Sequence, residues 1–311
     1  MGDKATREAL GETLVELANE GVDVVAVEAD LSKSTTTAKL GDAYPERLFN
    51  VGIAEANMID VAAGLAVSGK IAFTGSFAVF ATGRAYDQIR NTVCYSGLNV
   101  KLTPTHAGVT VGPDGGSHQM LEDLALMRVL PGMRVLVPAD YNAAKAAIRL
   151  AAATPGPFYV RLGRAGVVQV HSDGFEMELG HAYVLRQGSD VTLAACGVMV
   201  GEALAAADIL AEEGVSAEVI DVASIKPVDT DTLLASARKT GAVVTCEEHS
   251  IIGGLGSAVA EVLGEAAPTP MARVGVRDVF GTSGEPAELL AHFGLTGADI
   301  ARAAREVRAR E

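Results

Sequence analysis

Three stretches of the chain combine residue types that can do chemistry. The first, NVGIAEANM at 50–58, sets Glu55 ahead of an apolar helical run, MIDVAAGLAV. A carboxylate in a first helical turn is favoured by the helix dipole alone. Its neighbours Ile53, Ala54 and Ala56 would also leave the carboxyl poorly solvated, the setting of an acid whose proton is used in a reaction. The motif by itself supports both readings. The second stretch, FTGSFAVFATGRAYDQIRN, places Phe77 and Phe80 three apart. Two rings at that spacing share a helical face, either as plain core or as a platform for a flat heteroaromatic ring. The third, THAGVTVGPDGGSHQ at 105–119, surrounds His106, Asp114 and His118 with Gly108, Gly112, Gly115 and Gly116. It is too polar for core and too rich in glycine for a helix, so it reads as a loop. The separations of 8 and 4 between its two histidines and its acid match no common metal-ligand pattern. Hydrogen bonding to a polyhydroxylated substrate suits these side chains better. Gly253, Gly254 and Gly256 in IIGGLGSAVAE lack the full GxGxxG spacing and give a nucleotide site little support.

The elements that must position these groups alternate in type. Leu10, Leu14, Leu17 and Ala18 lie on one face of a helix that Asn19-Glu20-Gly21 ends, and a buried strand follows at 22–27. Further strands are expected at 70–73, 99–103, 134–137 and 157–162, with helices near 55–68, 77–91, 118–128 and 140–153. The pattern pauses from Gly163 to Gly180. It resumes with strands at 191–196, 216–221 and 242–248 and helices near 198–213, 230–239, 255–265 and 297–309. Such alternation implies crossover units, and hence two three-layer α/β domains, each with a mostly parallel sheet.

Composition narrows the partners. Of 311 residues, 49% are hydrophobic and 21% charged, the balance of a packed protein of two domains. Lys plus Arg is 25 against 39 for Asp plus Glu, a net charge of −14. Nucleic acid and anionic membrane are repelled by such a chain, and an anionic sugar phosphate would need a locally basic pocket. Cys94, Cys196 and Cys246 stand apart, an odd count that suits buried thiols in a reducing, cytoplasmic setting. No apolar run reaches the roughly 18 residues of a membrane span, and MGDKATREALGETL is helical and charged rather than a signal peptide.

Taken in order, GIAEANM, GSFAVF with AYDQIRN, the loop ending in DGGSHQ, and EEHSIIGGLGSAVAE resemble the C-terminal half of transketolase, from about residue 4 to residue 300. The resemblance is strongest to the C-terminal subunit of split, two-chain transketolases. It implies a pyrimidine-binding domain over 1–165, a linker over 166–180 and a C-terminal domain over 181–311. It further implies that Glu55 hydrogen-bonds N1′ of thiamine diphosphate, that Phe77 and Phe80 stack on the pyrimidine, and that Asp30 lies near the cofactor. A third aromatic, frequent in the family, is Gly83 here, and Tyr86 is the candidate to replace it. Arg7, Ser34, His106 and Arg164 match positions that hold a terminal sugar phosphate; Arg161, three residues before Arg164, is an alternative. Asp114 and His118 match contacts to substrate hydroxyls, with His118 and Glu55 the catalytic pair.

No GDG occurs in the sequence. In the family that motif, with an Asn further on, holds the diphosphate and Mg²⁺. The resemblance therefore implies that these ligands lie on a partner N-terminal subunit, the two chains forming a dimer of heterodimers. Two relatives of the same architecture compete: the beta subunit of a 2-oxo acid dehydrogenase, which has no need of the Arg7, Ser34 and Arg164 cluster, and deoxyxylulose phosphate synthase, which carries its own GDG. A non-catalytic scaffold would be expected to have lost Glu55 or the histidine loop.

Overall fold

The computed structural model describes residues 4–310. Its strands are β1 (Lys4–Ala5), β2 (Val24–Glu28), β3 (Leu48–Asn50), β4 (Ile71–Gly75), β5 (Val100–Leu102), β6 (Arg134–Leu136), β7 (Phe158–Val160), β8 (Gly166–Val167), β9 (Tyr183–Arg186), β10 (Val191–Ala195), β11 (Ala217–Asp221), β12 (Ser224–Lys226), β13 (Val243–Ser250) and β14 (Met271–Val276). They form two α/β domains with helices on both faces of each main sheet. The first sheet has the order β12-β6-β7-β5-β4-β2-β3 and the second β14-β13-β10-β11-β9. Only the edge strands β12 and β9 run antiparallel to their neighbours. A short antiparallel ribbon joins β1 to β8.

Burial on both faces explains the unbroken apolar strands. In β2, Val25 and Val27 face one core while Val24 and Ala26 face another, which the helices Thr6–Asn19 and Tyr141–Ala153 cover. The core under Val25 and Val27 continues into the second domain, taking in Cys196, Ile220, Val222 and Leu263. All three cysteines are buried and unpaired. Among the described residues no helix is long and apolar enough to cross a membrane.

Local chemistry shifts several boundaries from the sequence expectation. The strand expected from Val22 begins at Val24, because Val22 N–H bonds Leu17 O at 2.9 Å and Gly21, at φ +83°, bonds Ala18 O. These bonds close the preceding helix and consume Val22. The single helix expected at 77–91 is instead Ala78–Arg84, a break at Ala85, a helical turn Tyr86–Gln88, and a π-helical stretch Ile89–Tyr95. Residues 118–122 are not helical, and the helix there spans only Asp123–Arg128. The Met120 carbonyl accepts from Gly108 N–H, and Gln119 is pinned by its side chain.

Within the pause after Gly163, the only strand is β8. The irregular chain is nevertheless anchored at its middle. Asp140 Oδ2 accepts from the N–H groups of Val170 and His171, at 2.6 and 2.7 Å. The His171 ring then meets Asp221 of β11 at 2.8 Å.

Candidate active site

Four neighbouring parallel strands, β2, β4, β5 and β7, end on one edge of the first sheet, and the turns beyond them carry the candidates. Asp30 and Ser34 follow β2, Phe77 and Phe80 follow β4, His106 follows β5, and Arg161 and Arg164 follow β7. Glu55 opens the helix after β3. Arg7 opens the first helix, whose Thr6 Oγ1 accepts from Gly163 N–H at 2.7 Å, tying it to the end of β7. Asp30, Thr36 and His106 hold φ of 65°, 71° and 60°, strained values that gather at this edge.

The rings and the acid come together. Phe77 caps the helix Ala78–Arg84 rather than lying in it, and its ring stacks 5.9 Å from Phe80 at 16°. His106 stacks on Phe77 at 3.7 Å, and His118 stands edge-on to Phe80 at 5.3 Å. Glu55 is buried, 4% exposed, and its Oε1 accepts from Arg84 Nη1 at 2.9 Å. The Arg84 guanidinium lies 4.2 Å over the Phe80 ring, so one cation links the acid to the aromatic platform. Sequence reasoning missed Arg84. Its signal was the spacing of four from Phe80, one helical turn on. No atom lies within 4 Å of a Cβ built on Gly83, so the third aromatic position is open, while Tyr86 packs on the domain core.

The basic residues gather beside this platform. Arg164 Nη1 donates to Val111 O at 2.5 Å and lies 3.6 Å from Asp114 Oδ1. Arg7 Nη1 donates at 2.9 Å to the Ser34 carbonyl, which is the group of Ser34 that the structure engages. Arg7 Nε is buried without a partner. Burial, and then Arg164, lower the Arg7 pKa. Burial together with Arg7, Arg164 and His118 pushes His106 down to about 3. It is therefore a neutral imidazole at working pH, hydrogen-bonded through Nδ1 to Thr105 Oγ1 at 2.7 Å. Two guanidiniums and a neutral histidine, with Asp114 beside Arg164 and Glu8 acting on Arg7, are groups of the kind that could hold an anion. Asp30 is exposed and exchanges hydrogen bonds with Asn50, at 3.2 and 3.3 Å.

Two residues behind this edge behave differently from what sequence suggested or left open. Glu28, hidden in the apolar run VVAVE, is fully buried. Its Oε1 accepts from the hydroxyls of Thr35 (2.5 Å) and Thr37, its Oε2 has no partner, and burial pushes it up to about 7. Only glycine fits opposite it: a Cβ on Gly75 would stand 1.7 Å from Glu28 Oε1. Arg161, in turn, is committed to the interior. Its Nε donates to Asp123 Oδ2 at 2.7 Å, an oxygen that also accepts from Tyr159 OH, and its Nη1 lies 3.7 Å from Glu248 Oε1. Burial alone would raise the Asp123 pKa, and the Arg161 guanidinium overrides it, leaving the carboxyl below its usual range. Arg161→Met would strand two buried carboxylates without a cation. The expected loss is about 3–5 kcal/mol of stability, read from the urea midpoint at unchanged slope; a loss under about 1 kcal/mol would show that the network carries no such weight.

Parallel strands that deliver an acid, stacked rings and paired guanidiniums to one edge define an α/β protein built to bind ligand at its strand ends. Family comparison agrees. Residues 3–168 match the transketolase pyrimidine-binding domain and residues 180–300 the transketolase C-terminal domain. The chain is 49% identical to a putative transketolase C-terminal section of Methanocaldococcus jannaschii, across 96% of this chain and 95% of the relative. It is 48% identical to the 6-deoxy-6-sulfo-D-fructose transketolase subunit SqwH of a Clostridium species, across 98% and 95%. A solved structure described as a split-gene transketolase, inactive beta4 tetramer, superposes with a TM-score of 0.91 at 53% identity, covering 99% of both chains. The chain belongs to the transketolase family.

Proposed function

We propose that the chain is the C-terminal subunit of a two-chain transketolase that moves a two-carbon ketol unit from a ketose phosphate to an aldose phosphate. The observation that carries this reading is the Phe77–His106 stack. Through it the ring platform beside Glu55 adjoins the anion site of Arg7 and Arg164, so one site can read a flat heteroaromatic cofactor and a charged sugar together. The residues present suit thiamine diphosphate: a buried acid for a ring nitrogen and two near-parallel aromatic faces for the pyrimidine. When bound, that cofactor supplies the nucleophilic carbon that adds to the donor carbonyl.

Each side chain then has a task. With the cofactor bound, Glu55 would share a proton with N1′, Phe77 and Phe80 would hold the ring, and Asp30 would close the turn beside it. His118 and Asp114 hydrogen-bond the sugar hydroxyls near the reacting carbonyl. His106, being neutral, donates or accepts without adding charge, and Arg7 and Arg164 grip the terminal anion, with Ser34 orienting Arg7. The sulfonated sugar in the name of the Clostridium relative is consistent with a site built for a terminal anion. The diphosphate and Mg²⁺ are assigned to a partner N-terminal subunit, in keeping with the C-terminal section, the transketolase subunit and the split-gene transketolase that this chain resembles along nearly their whole length. Self-association as a dimer of heterodimers is in keeping with the tetrameric beta-chain neighbour.

The expected result is that the chain purified by itself binds thiamine diphosphate weakly and transfers no ketol unit. Adding the partner and Mg²⁺ should restore turnover, read in a coupled transfer assay. Robust turnover without the partner would defeat the assignment.

A further inference from the structure

The glycine-rich loop that carries Asp114 and His118 is seated against the second domain. Its rear surface meets Gly281–Pro286, the segment after β14. Ser283 Oγ donates to Pro113 O at 2.9 Å. Gln119, buried beside His118, sends Nε2 to Thr282 O at 2.9 Å and to Val109 O at 3.1 Å, with Gly112 O at 3.5 Å. Three carbonyls around one amide nitrogen fix its orientation and leave Oε1 buried with no partner.

The glycines on both sides permit this approach. A Cβ on Gly116 would stand 2.5 Å from Gly281 O, and one on Gly115 would stand 2.6 Å from Ser283 Oγ. On the other side, a Cβ on Gly281 would fall 1.7 Å from Gln119 Oε1. The two loops interlock closely, the Gly116 and Gly281 backbones approaching each other directly and only the Gln119 and Ser283 side chains lying between the segments. Any displacement of the second-domain segment is therefore passed to the loop that faces Phe77 and Phe80.

We infer that Gly281–Gly284 of the second domain is a positioning element for substrate recognition, setting the height of Asp114 and His118 over the ring platform. The inference rests on the proposed contact of those two side chains with the sugar. Misplacement of a substrate-positioning group by about 1 Å costs on the order of 10²-fold, and the effect belongs in KM rather than in cofactor affinity.

The test uses the complete complex with partner, Mg²⁺ and thiamine diphosphate. Gly281→Ala should lower kcat/KM for the donor sugar by roughly 10- to 100-fold, carried mainly by a rise in KM, and speed deuterium uptake across 110–120, while the cofactor Kd moves little. Shortening the obstructing side chain, in Gly281→Ala/Gln119→Ala, should recover part of the KM. Should Gly281→Ala fail to fold, Ser283→Ala is the second variant, with a KM rise of roughly 2- to 10-fold that Ser283→Thr reverses. Unchanged KM and unchanged uptake across 110–120 would overturn the inference. Faster uptake with unchanged KM would overturn it too, and His118→Ala then separates the causes. If that variant raises KM, the sugar contact stands and only the positioning role is lost. If it does not, the site assignment itself is wrong.

Discussion

Glu55→Gln is expected to lower kcat by about 10²- to 10⁴-fold, the range typical of a positioned acid–base group, with folding and assembly intact. Glutamine preserves size and hydrogen-bonding reach, and Arg84 can still donate to the amide oxygen at the position of Oε1. What the substitution removes is the carboxyl group itself, in a nearly solvent-free position, 4% exposed, beside the ring platform. The measurement is proton–deuterium exchange at the thiazolium carbon in the assembled, cofactor-loaded complex. Exchange at the wild-type rate would reduce Glu55 to a carboxylate that merely favours its helix start.

Arg164→Ala should raise KM for phosphorylated acceptors by roughly 10- to 150-fold, equivalent to about 1.5–3 kcal/mol for hydrogen bonds to a charged group. An unphosphorylated aldehyde should lose far less. Arg164 faces the site edge, is only partly buried, and has Asp114 at 3.6 Å as its nearest counter-charge. A substrate anion therefore meets a guanidinium whose charge is incompletely paired. Arg161 is the internal comparison, since Asp123 and Glu248 already engage it and its loss is expected in the urea midpoint. Equal losses on both aldehydes would take Arg164 out of phosphate binding and reopen the dehydrogenase-type reading.

The alternation of apolar strands and amphipathic helices was legible because a parallel sheet buried on both faces demands near-continuous hydrophobic runs, as VVAVE in β2 illustrates. The grouping of Phe77, Phe80, His106 and His118 followed from the family resemblance, and the structure gives its reason, since their motifs lie beyond the neighbouring strands β4 and β5. What could not be read depended on long-range placement. Arg161 and Arg164 are equivalent in sequence, and only Asp123 and Glu248, which are distant along the chain, decide which one turns inward. Glu28 was masked by its strand, because its threonine partners come from the following turn. The helix at 77–91 failed where Ala85 leaves helical geometry at φ −111°, which periodicity does not register. The glycines at 115 and 116 announced a loop, but not that it closes on Gly281 and Ser283 of the second domain.

Strand β12 has a consequence for how the molecule can be divided. It is encoded beyond the irregular stretch at 163–182, yet it lies on β6 and forms the outermost rung of the first sheet. A polypeptide ending within that stretch would leave the β6 edge with its amides and carbonyls unpaired, a template for pairing with further copies. It would also bare the apolar surface that Cys196, Ile220 and Leu263 now cover. The two family domains thus share the first sheet and part of one core. A gene broken within that stretch is therefore expected to lose solubility before it loses chemistry.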